Sequence, residues 1–197
     1  MARRTRLAPP ECAYHVVNRG NDRRVIFRQD VDYTAFVELL EEGLRRSAVR
    51  AFGYCLMPNH FHLVLQPEED HALSAFMQWM QCRYACDFRR RTATVGHGHV
   101  FQRRFWSAPL RSDRAFLTVL RYVEANALRA ALVKRAEEWP WSSAGNRADS
   151  AFLSSLPVLL PVNWLDVVNA PLPDATLSRI RRTTIPARGR PLSGDEE

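Results

Sequence analysis

The chain has 197 residues, of which 46% are hydrophobic and 25% charged, and this composition is typical of one globular domain plus a tail. No apolar run approaches the ~20 residues of a membrane-spanning helix, and no apolar stretch follows the basic N-terminus as a secretory signal requires. We therefore expect a soluble, cytoplasmic protein. The net charge is +7, and Lys134 is the only lysine among 28 basic residues. This excess of arginine favours a polyanionic partner such as nucleic acid.

The first two thirds of the chain alternate between strand-like and helix-like segments. Alternating apolar residues indicate strands, and apolar residues three and four apart indicate helices. In chain order, the predicted elements are strand 13–18, helix 30–47 capped by Asp30, strands 49–56 and 60–66, helix 72–90, strand 100–110 and helix 113–133. The short Pro58-Asn59 connection predicts that the two middle strands pair antiparallel. This order predicts an α+β fold, a ferredoxin-like antiparallel sheet with helices packed on one face, plus an additional third helix.

The pattern changes near residue 139. Residues 139–143, Trp-Pro-Trp-Ser-Ser, are predicted to form a packed elbow. The segment after residue 150 is rich in proline and weakly periodic, with short helical pieces near 162–168 and 174–182. We therefore divide the chain into a domain at 1–150 and a C-terminal extension at 151–197, which wraps on the core and ends in a loose basic tail.

Two histidines on the strand 60–66 form the first candidate site. His60 and His62 alternate with Phe61 and Leu63, so the histidines share one strand face, about 7 Å apart, opposite the apolar face. Two imidazoles that project together can hold a divalent cation. Ordinary surface or core histidines would show the same pattern, so the spacing leaves both interpretations open. His15, on the first strand, is expected to be a neighbour of the pair and not a ligand.

The third predicted helix carries the second candidate site. Tyr122 and Asn126 are four residues apart, so their side chains lie one above the other on one face. Both lie at one edge of the apolar stripe that includes Leu120 and Val123. A tyrosine there could present its hydroxyl to a bound group, and an amide oxygen could complete a metal shell. The alternative is a boundary tyrosine that hydrogen-bonds Asn126 or water.

Several ordered motifs give the chain a family resemblance. In chain order they are YHVVNRGN from Tyr14, MPNHFHL from Met57, GHVFQRRF from Gly98, YVEANALRA from Tyr122 and WPWSS from Trp139. Together they resemble the REP-associated tyrosine transposases, single-tyrosine HUH endonucleases of the insertion-sequence type. The resemblance covers roughly residues 11–145. The chain departs from the family at Ala127, where proline is usual, and we expect the helix to continue more smoothly there.

The resemblance implies a catalytic mechanism. By analogy, Tyr122 on the third, catalytic helix attacks a phosphodiester of single-stranded DNA, forming a 5′-phosphotyrosine and a free 3′-hydroxyl. His60 and His62 would bind Mg²⁺ or Mn²⁺, with Asn126 as the third ligand. Two imidazoles and an amide oxygen suit Mn²⁺ better, whereas Mg²⁺ is the more available ion. Hairpin-associated DNA as the substrate is implied by the resemblance alone.

Arginines and aromatic residues near the predicted site provide candidate DNA contacts. The arginines are Arg19, Arg103, Arg104 and Arg121. Phe105 and Trp106 either stack on unpaired bases or fill the core.

Two rival functions and two oligomeric states stay open at this point. The chain could be a non-catalytic nucleic-acid-binding regulator on the same fold, or a metal-dependent hydrolase in which water replaces tyrosine. Related insertion-sequence enzymes exchange the tyrosine helix between subunits. The C-terminal extension here leads us to expect a monomer with its tyrosine in cis, with a dimer as the alternative.

Overall fold

The computed structural model describes residues 8–96 and 98–184. Within these ranges, the strands are β1 (Ala13–Arg19), β2 (Val49–Met57), β3 (His60–Pro67) and β4 (Trp106–Leu110). They form one antiparallel sheet in the order β2-β3-β1-β4. The helices are α1 (Asp30–Arg45), α2 (Ala72–Arg91), α3 (Asp113–Glu124), α4 (Asn126–Arg129), α5 (Ser143–Asn146), α6 (Trp164–Asn169) and α7 (Asp174–Thr184). This strand order and connectivity confirm the ferredoxin-like prediction.

Helices α1 and α2 cover one face of the sheet. Because side chains alternate along a strand, Phe61, Leu63 and Leu65 of β3 all point into this layer, where they are fully buried. Phe36 of α1 packs against Phe61 with ring centroids 5.0 Å apart. This is the apolar core that the alternation in β3 predicts.

The opposite face of the sheet is covered by a second helical layer. Val64 of β3 points into it and is fully buried together with Leu120 and Val123 of α3. Trp164 and Val168 of α6 belong to the same apolar cluster. The histidine face of β3 was expected to lie outside the core, and that expectation is wrong because α3 and the C-terminal extension bury it.

The start of α1 differs from the prediction by one residue. The capping residue is Gln29, not Asp30, and it forms a capping box with Asp32. The Asp32 carboxylate accepts hydrogen bonds from the backbone N–H groups of Arg28 (2.8 Å) and Gln29 (3.3 Å). A reciprocal pair of this kind satisfies backbone donors that the first turn leaves unpaired.

The predicted strand 100–110 is a strand only from Trp106 onward. Val17 of β1 pairs with Trp106, and Gly20 forms an isolated bridge with Phe101. The segment 101–106 therefore carries extra residues relative to β1 and bulges out of the ladder. The Asn18 amide group donates to the Arg103 carbonyl oxygen at 2.9 Å and stabilises the bulge.

The predicted helix 113–133 is interrupted at Ala125, which separates α3 from α4. The side-chain amide of Asn126 donates to the carbonyl oxygen of Tyr122 at 2.8 Å, which is the acceptor that the backbone N–H of residue 126 would use in a continuous helix. A side chain that competes with the backbone in this way bends or ends a helix. The expectation of a smoother continuation at Ala127 is therefore wrong.

The elbow packs against β2 as predicted. The indole N–H of Trp139 donates to the Leu56 carbonyl at 2.8 Å, and the Leu56 N–H donates to the Trp141 carbonyl at 2.8 Å. Residues 185–197, including the predicted basic tail, lie outside the described ranges. No helix within the described ranges is long and apolar enough to cross a membrane.

Candidate active site

The register of the two central strands brings His15, Arg19, His60 and His62 onto the face beneath α3. Val17 of β1 lies directly opposite His62, and Arg19 lies directly opposite His60. Residues directly opposite across an antiparallel ladder point to the same face, and so do His15, Val17 and Arg19 because they alternate along β1. The histidine spacing that marks β3 in the sequence is thus extended to a second strand.

His15 is in direct contact with His62. The Nε2 atom of His15 lies 2.9 Å from Nδ1 of His62, and both side chains are almost completely buried. Their rings are stacked, with centroids 5.1 Å apart. The contact occupies Nδ1 of His62, so Nε2 is the His62 nitrogen that remains for a ligand.

The His60 ring is held by its neighbour in sequence. Its Nδ1 atom lies 2.6 Å from Oδ1 of Asn59. Because an amide oxygen can only accept a hydrogen bond, Nδ1 of His60 carries the proton and Nε2 keeps its lone pair. The His60 and His62 rings are 5.0 Å apart between centroids. Each therefore has its Nε2 atom left for a shared cation.

The electrostatic environment keeps all three imidazoles neutral. Burial lowers the pKa of His15 to about 3. Burial and the positive charge of Arg19 lower the pKa of His60 to about 4. Burial, followed by the nearby His60, His15, Arg19 and Arg129, lowers the pKa of His62 well below its usual value. A neutral imidazole is the form that binds metal ions.

Tyr122 lies in the last turn of α3, directly above the histidines. Its ring centroid is 5.6 Å from that of His62 and 5.8 Å from that of His15, edge to face in both cases. The apolar stripe of α3 packs onto the sheet, and Tyr122 at the edge of that stripe is carried to the histidine face. The tyrosine and the histidines therefore come from a single chain.

Asn126 has its amide orientation fixed by the break between α3 and α4. Its Nδ2 atom donates to the Tyr122 carbonyl, which leaves Oδ1 as the free end of the amide. No group of three His, Cys, Asp or Glu side chains in the described ranges is placed to hold a metal ion. The Asn126 amide oxygen stays the predicted third ligand beside His60 and His62, as the family resemblance implies. Two neutral imidazoles and one amide oxygen form a donor set that fits Mn²⁺ or Mg²⁺.

Arg129 of α4 belongs to the site, although the sequence analysis did not select it. Its guanidinium carbon lies 4.8 Å from the centroid of the Tyr122 ring, within the range of a cation–π contact. Arg129 follows Tyr122 by seven residues, two turns, so the predicted helix 113–133 would place both on one side. That spacing was the available signal.

The other predicted DNA-contacting arginines have different surroundings. Arg121 donates from its guanidinium to the carbonyl oxygens of Ala170 (2.9 Å) and Pro171 (3.1 Å), and so ties α3 to the extension. Arg103 and Arg104 are exposed on the bulge that precedes β4.

The two aromatic residues beside the bulge also differ. Phe105 is buried in the apolar core. Its ring therefore fills the core and does not stack on unpaired bases. Trp106 is half-buried and donates from its indole N–H to the Thr183 carbonyl of α7. The Trp106 ring is therefore engaged by the C-terminal extension.

Comparisons with known proteins agree with this fold. Residues 9–126 match the family described as "Transposase IS200 like", and because the match covers more than half of the chain, the protein belongs to this family. A "Putative REP-associated tyrosine transposase" of Haemophilus influenzae is 27% identical over 97 residues, which are 45% of this chain and 55% of the relative. The chain thus aligns with about half the length of that relative.

A solved structure of a REP-associated tyrosine transposase bound to a REP hairpin has the same fold. It superposes with a TM-score of 0.61 at 17% identity, covering 78% of this chain and 89% of the other. At this identity the likeness concerns the fold. Together, the family match and the two relatives confirm the resemblance that the ordered motifs indicated.

Proposed function

We propose that this protein is a metal-dependent endonuclease and strand transferase that cleaves hairpin-associated single-stranded DNA through Tyr122. One observation carries the proposal: the Tyr122 ring lies against His62, and His62 lies beside His60, on one face of the sheet. Membership of the IS200-like transposase family supports it. So does the likeness in fold to a protein that is bound to a REP hairpin.

In the proposed reaction the Tyr122 hydroxyl oxygen attacks the phosphorus of a DNA phosphodiester. The bond between this oxygen and phosphorus forms as the bond from phosphorus to the 3′ oxygen breaks. The products are a 5′-phosphotyrosine and a 3′-hydroxyl, so the proton lost by the phenol is balanced by the one gained on the 3′ oxygen. One phosphodiester replaces another, and rejoining needs no nucleotide cofactor.

His60, His62 and Asn126 would hold the divalent ion, Mg²⁺ or Mn²⁺, through the two Nε2 atoms and Oδ1. When bound, the ion supplies Lewis-acid polarisation of the phosphodiester. His15 and Asn59 hold the two imidazole rings in place, as outer groups commonly do for histidine ligands.

Single-stranded DNA would approach over the basic surface near the bulge. Arg103 and Arg104 are exposed there, and Arg19 lies on the site face opposite His60. Arginine recognises phosphate in a bidentate manner, which suits these positions. A DNA contact by Arg121 stays a prediction, and its guanidinium would first have to leave the carbonyl groups of the extension.

We further propose that the protein acts as a monomer. Tyr122 already lies against His62 of its own chain, so no second subunit is required to complete the site. Light scattering of the purified protein is expected to give the mass of one chain, and a single peak at twice that mass would contradict the proposal.

The decisive experiment is a denaturing gel of the full-length protein after incubation with labelled hairpin-forming oligonucleotides and Mn²⁺. We expect a chelator-sensitive band with the mass of protein plus DNA. Tyr122→Phe should abolish this band and still shift the DNA on a native gel. Tyr33→Phe is the matched control, because Tyr33 is equally buried but lies under the other face of the sheet.

The other outcomes identify the rival functions. An adduct formed by Tyr122→Phe would rule out Tyr122 as the nucleophile. Cleavage without any adduct would indicate a hydrolase in which water attacks. Binding of the hairpins with no cleavage in any condition would indicate a non-catalytic nucleic-acid-binding regulator.

A further inference from the structure

Two arginines at the candidate site lack an anionic partner within the described ranges. The Arg129 guanidinium lies over the Tyr122 ring at 4.8 Å, and Arg19 projects from the position directly opposite His60. Neither belongs to any ion pair formed by the described residues.

The neighbouring Glu124 shows how this chain treats a buried charge that serves the fold. The Glu124 carboxylate accepts from Ser143 (2.7 Å), from the Trp164 indole (2.7 Å) and from Arg147. Removing the partner of a buried charge is costly, so charges that serve only the fold are normally paired in this way. Arg19 and Arg129 are only partly buried, so their charges stay accessible to a ligand, and both lie beside the ring of Tyr122 or the ring of His60.

The other groups at the site do not supply that charge. An imidazole is neutral or positive, so His15, His60 and His62 supply no negative charge, and neither does the Asn126 amide. Both positive charges lie next to the ligand histidines, since Arg19 is directly opposite His60 and Arg129 lies over the Tyr122 ring that contacts His62. The candidate metal ligands include no carboxylate. A divalent cation would therefore meet two neighbouring positive charges with no protein anion to offset them.

We propose that Arg129 and Arg19 form an anion site for the phosphodiester that Tyr122 attacks, and that this phosphate and the divalent ion bind interdependently. The inference rests on the proposed function and deepens it by assigning Arg129, which lies in the motif YVEANALRA but was not among the predicted DNA-contacting arginines. A phosphate bound between the arginines and the cation offsets the repulsion between them. Because Arg129 lies over the ring that receives the phosphoryl group, it stays beside the phosphate after transfer.

The two ligands should strengthen each other by the same factor, because coupling between binding sites is reciprocal. Couplings of this kind in proteins are about 5- to 150-fold. We therefore expect Mn²⁺ to bind weakly to the protein alone and about tenfold or more tightly when DNA is present.

The test measures Mn²⁺ affinity by the electron paramagnetic resonance signal of the free ion. The protein is the full-length Tyr122→Phe variant, which keeps the aromatic ring under Arg129 and cannot transfer DNA. Titrations are run alone, with a hairpin oligonucleotide that forms the adduct with the wild-type protein, and with inorganic sulfate as a sequence-independent anion. Chloride at equal ionic strength controls for screening.

The informative variant is Arg129→Gln in this background. Without an anion it should bind Mn²⁺ more tightly than its parent, because a repelling charge is gone. With the oligonucleotide it should bind Mn²⁺ less tightly, because the phosphate is no longer held. Arg129→Lys should restore part of the coupling. Arg83→Gln removes the same charge from the exposed side of α2, beneath the other face of the sheet, and should change neither value.

A merely structural role for Arg129 would change Mn²⁺ affinity in the same direction with and without DNA, and this outcome would overturn the inference. So would full coupling in Arg129→Gln. If the wild-type protein forms the adduct while coupling is absent, the inference fails and the proposed function stands. If Mn²⁺ binds in no condition and no adduct forms, both fail.

Discussion

The two faces of the sheet are built from alternate residues of the same strands, yet they differ in chemistry. Beneath α1 and α2 the buried residues of β3 are Phe61, Leu63 and Leu65, in an apolar layer. Beneath α3 the same strand buries His62, which pairs with His15 of β1 inside a second apolar cluster.

This difference separates stability from chemistry along one strand. A polar group buried among apolar residues is costly unless it is hydrogen-bonded, and His15 and His62 meet that condition by pairing with each other. The β3 residues on the α1/α2 face have apolar side chains, so they need no hydrogen-bond partner and contribute through packing alone. Substitutions of adjacent residues should therefore have different consequences.

The largest expected contrast is between His62→Ala and Leu63→Ala. His62→Ala should abolish Mn²⁺ binding and DNA adduct formation, because one of three ligands is lost. Leu63→Ala should cost about 2–5 kcal/mol of unfolding free energy through the cavity it leaves. Its Mn²⁺ affinity should match that of the wild type wherever the protein is folded. Urea unfolding and Mn²⁺ titration provide the two readouts, and loss of metal affinity in folded Leu63→Ala would contradict the separation.

The next largest effect concerns the stability contributed by Glu124, the buried carboxylate at the end of α3. Glu124→Gln removes the carboxylate that faces Arg147, Ser143 and the Trp164 indole. Breaking a buried ion pair by removing one partner costs about 3–5 kcal/mol. Glu41→Gln is the control, because Glu41 pairs with Arg45 on the exposed side of α1 and such pairs contribute about 0.5 kcal/mol or less. If urea unfolding shows the same loss of unfolding free energy in Glu124→Gln and Glu41→Gln, the buried position of Glu124 does not add to stability.

The histidine face should also make stability depend on pH. The pKa of His15 is about 3 and that of His60 about 4 in the folded protein, against about 6.5 when unfolded. Below pH 6.5 the unfolded chain binds more protons, so stability present above pH 6.5 is lost as the pH falls towards 4 and then 3. Protonation of His15 in the unfolded chain should by itself lower the free energy of unfolding by about 2 kcal/mol at pH 5.

Urea unfolding between pH 8 and pH 5 tests this expectation, since most carboxylates stay ionised in that range. His15→Gln should flatten the pH dependence, because glutamine does not titrate. An unchanged slope in His15→Gln would show that the imidazole is not responsible.

The smallest expected effect is on the orientation of His62. His15→Leu removes the hydrogen-bond partner of Nδ1, and loss of an outer partner typically lowers metal affinity by about 10- to 100-fold. His15→Gln should recover part of this affinity, because its amide oxygen can accept from the His62 Nδ1–H. Mn²⁺ affinity measured for both variants distinguishes the two, and wild-type affinity in His15→Leu would refute the orienting role.

Side-chain direction within each element could be predicted from the sequence. The two-residue period of β3 put His60 and His62 on one face, where their ring centroids lie 5.0 Å apart. The short Pro58-Asn59 connection predicted the antiparallel pairing of β2 and β3, which the structure confirms. These predictions succeed because covalent geometry and backbone hydrogen bonding fix side-chain direction over a few residues.

Element boundaries were less predictable where a side chain replaces a backbone hydrogen bond. Asn18 supports the bulge before β4, and Asn126 ends α3 by donating to the Tyr122 carbonyl. Asparagine often forms such local bonds. The sequence does not say which asparagine will do so, since the choice depends on the backbone around it.

By itself, the sequence determined the βαββαβ order, the strand face that carries His60 and His62, and the family motifs. Only the tertiary structure decided that α3 crosses the histidine face, that His15 meets His62 at 2.9 Å, and that Arg129 lies over Tyr122. The physical reason is the range of the forces involved. Local spacing sets the direction of a side chain, whereas its partner is chosen by the packing of two apolar layers drawn from distant parts of the chain.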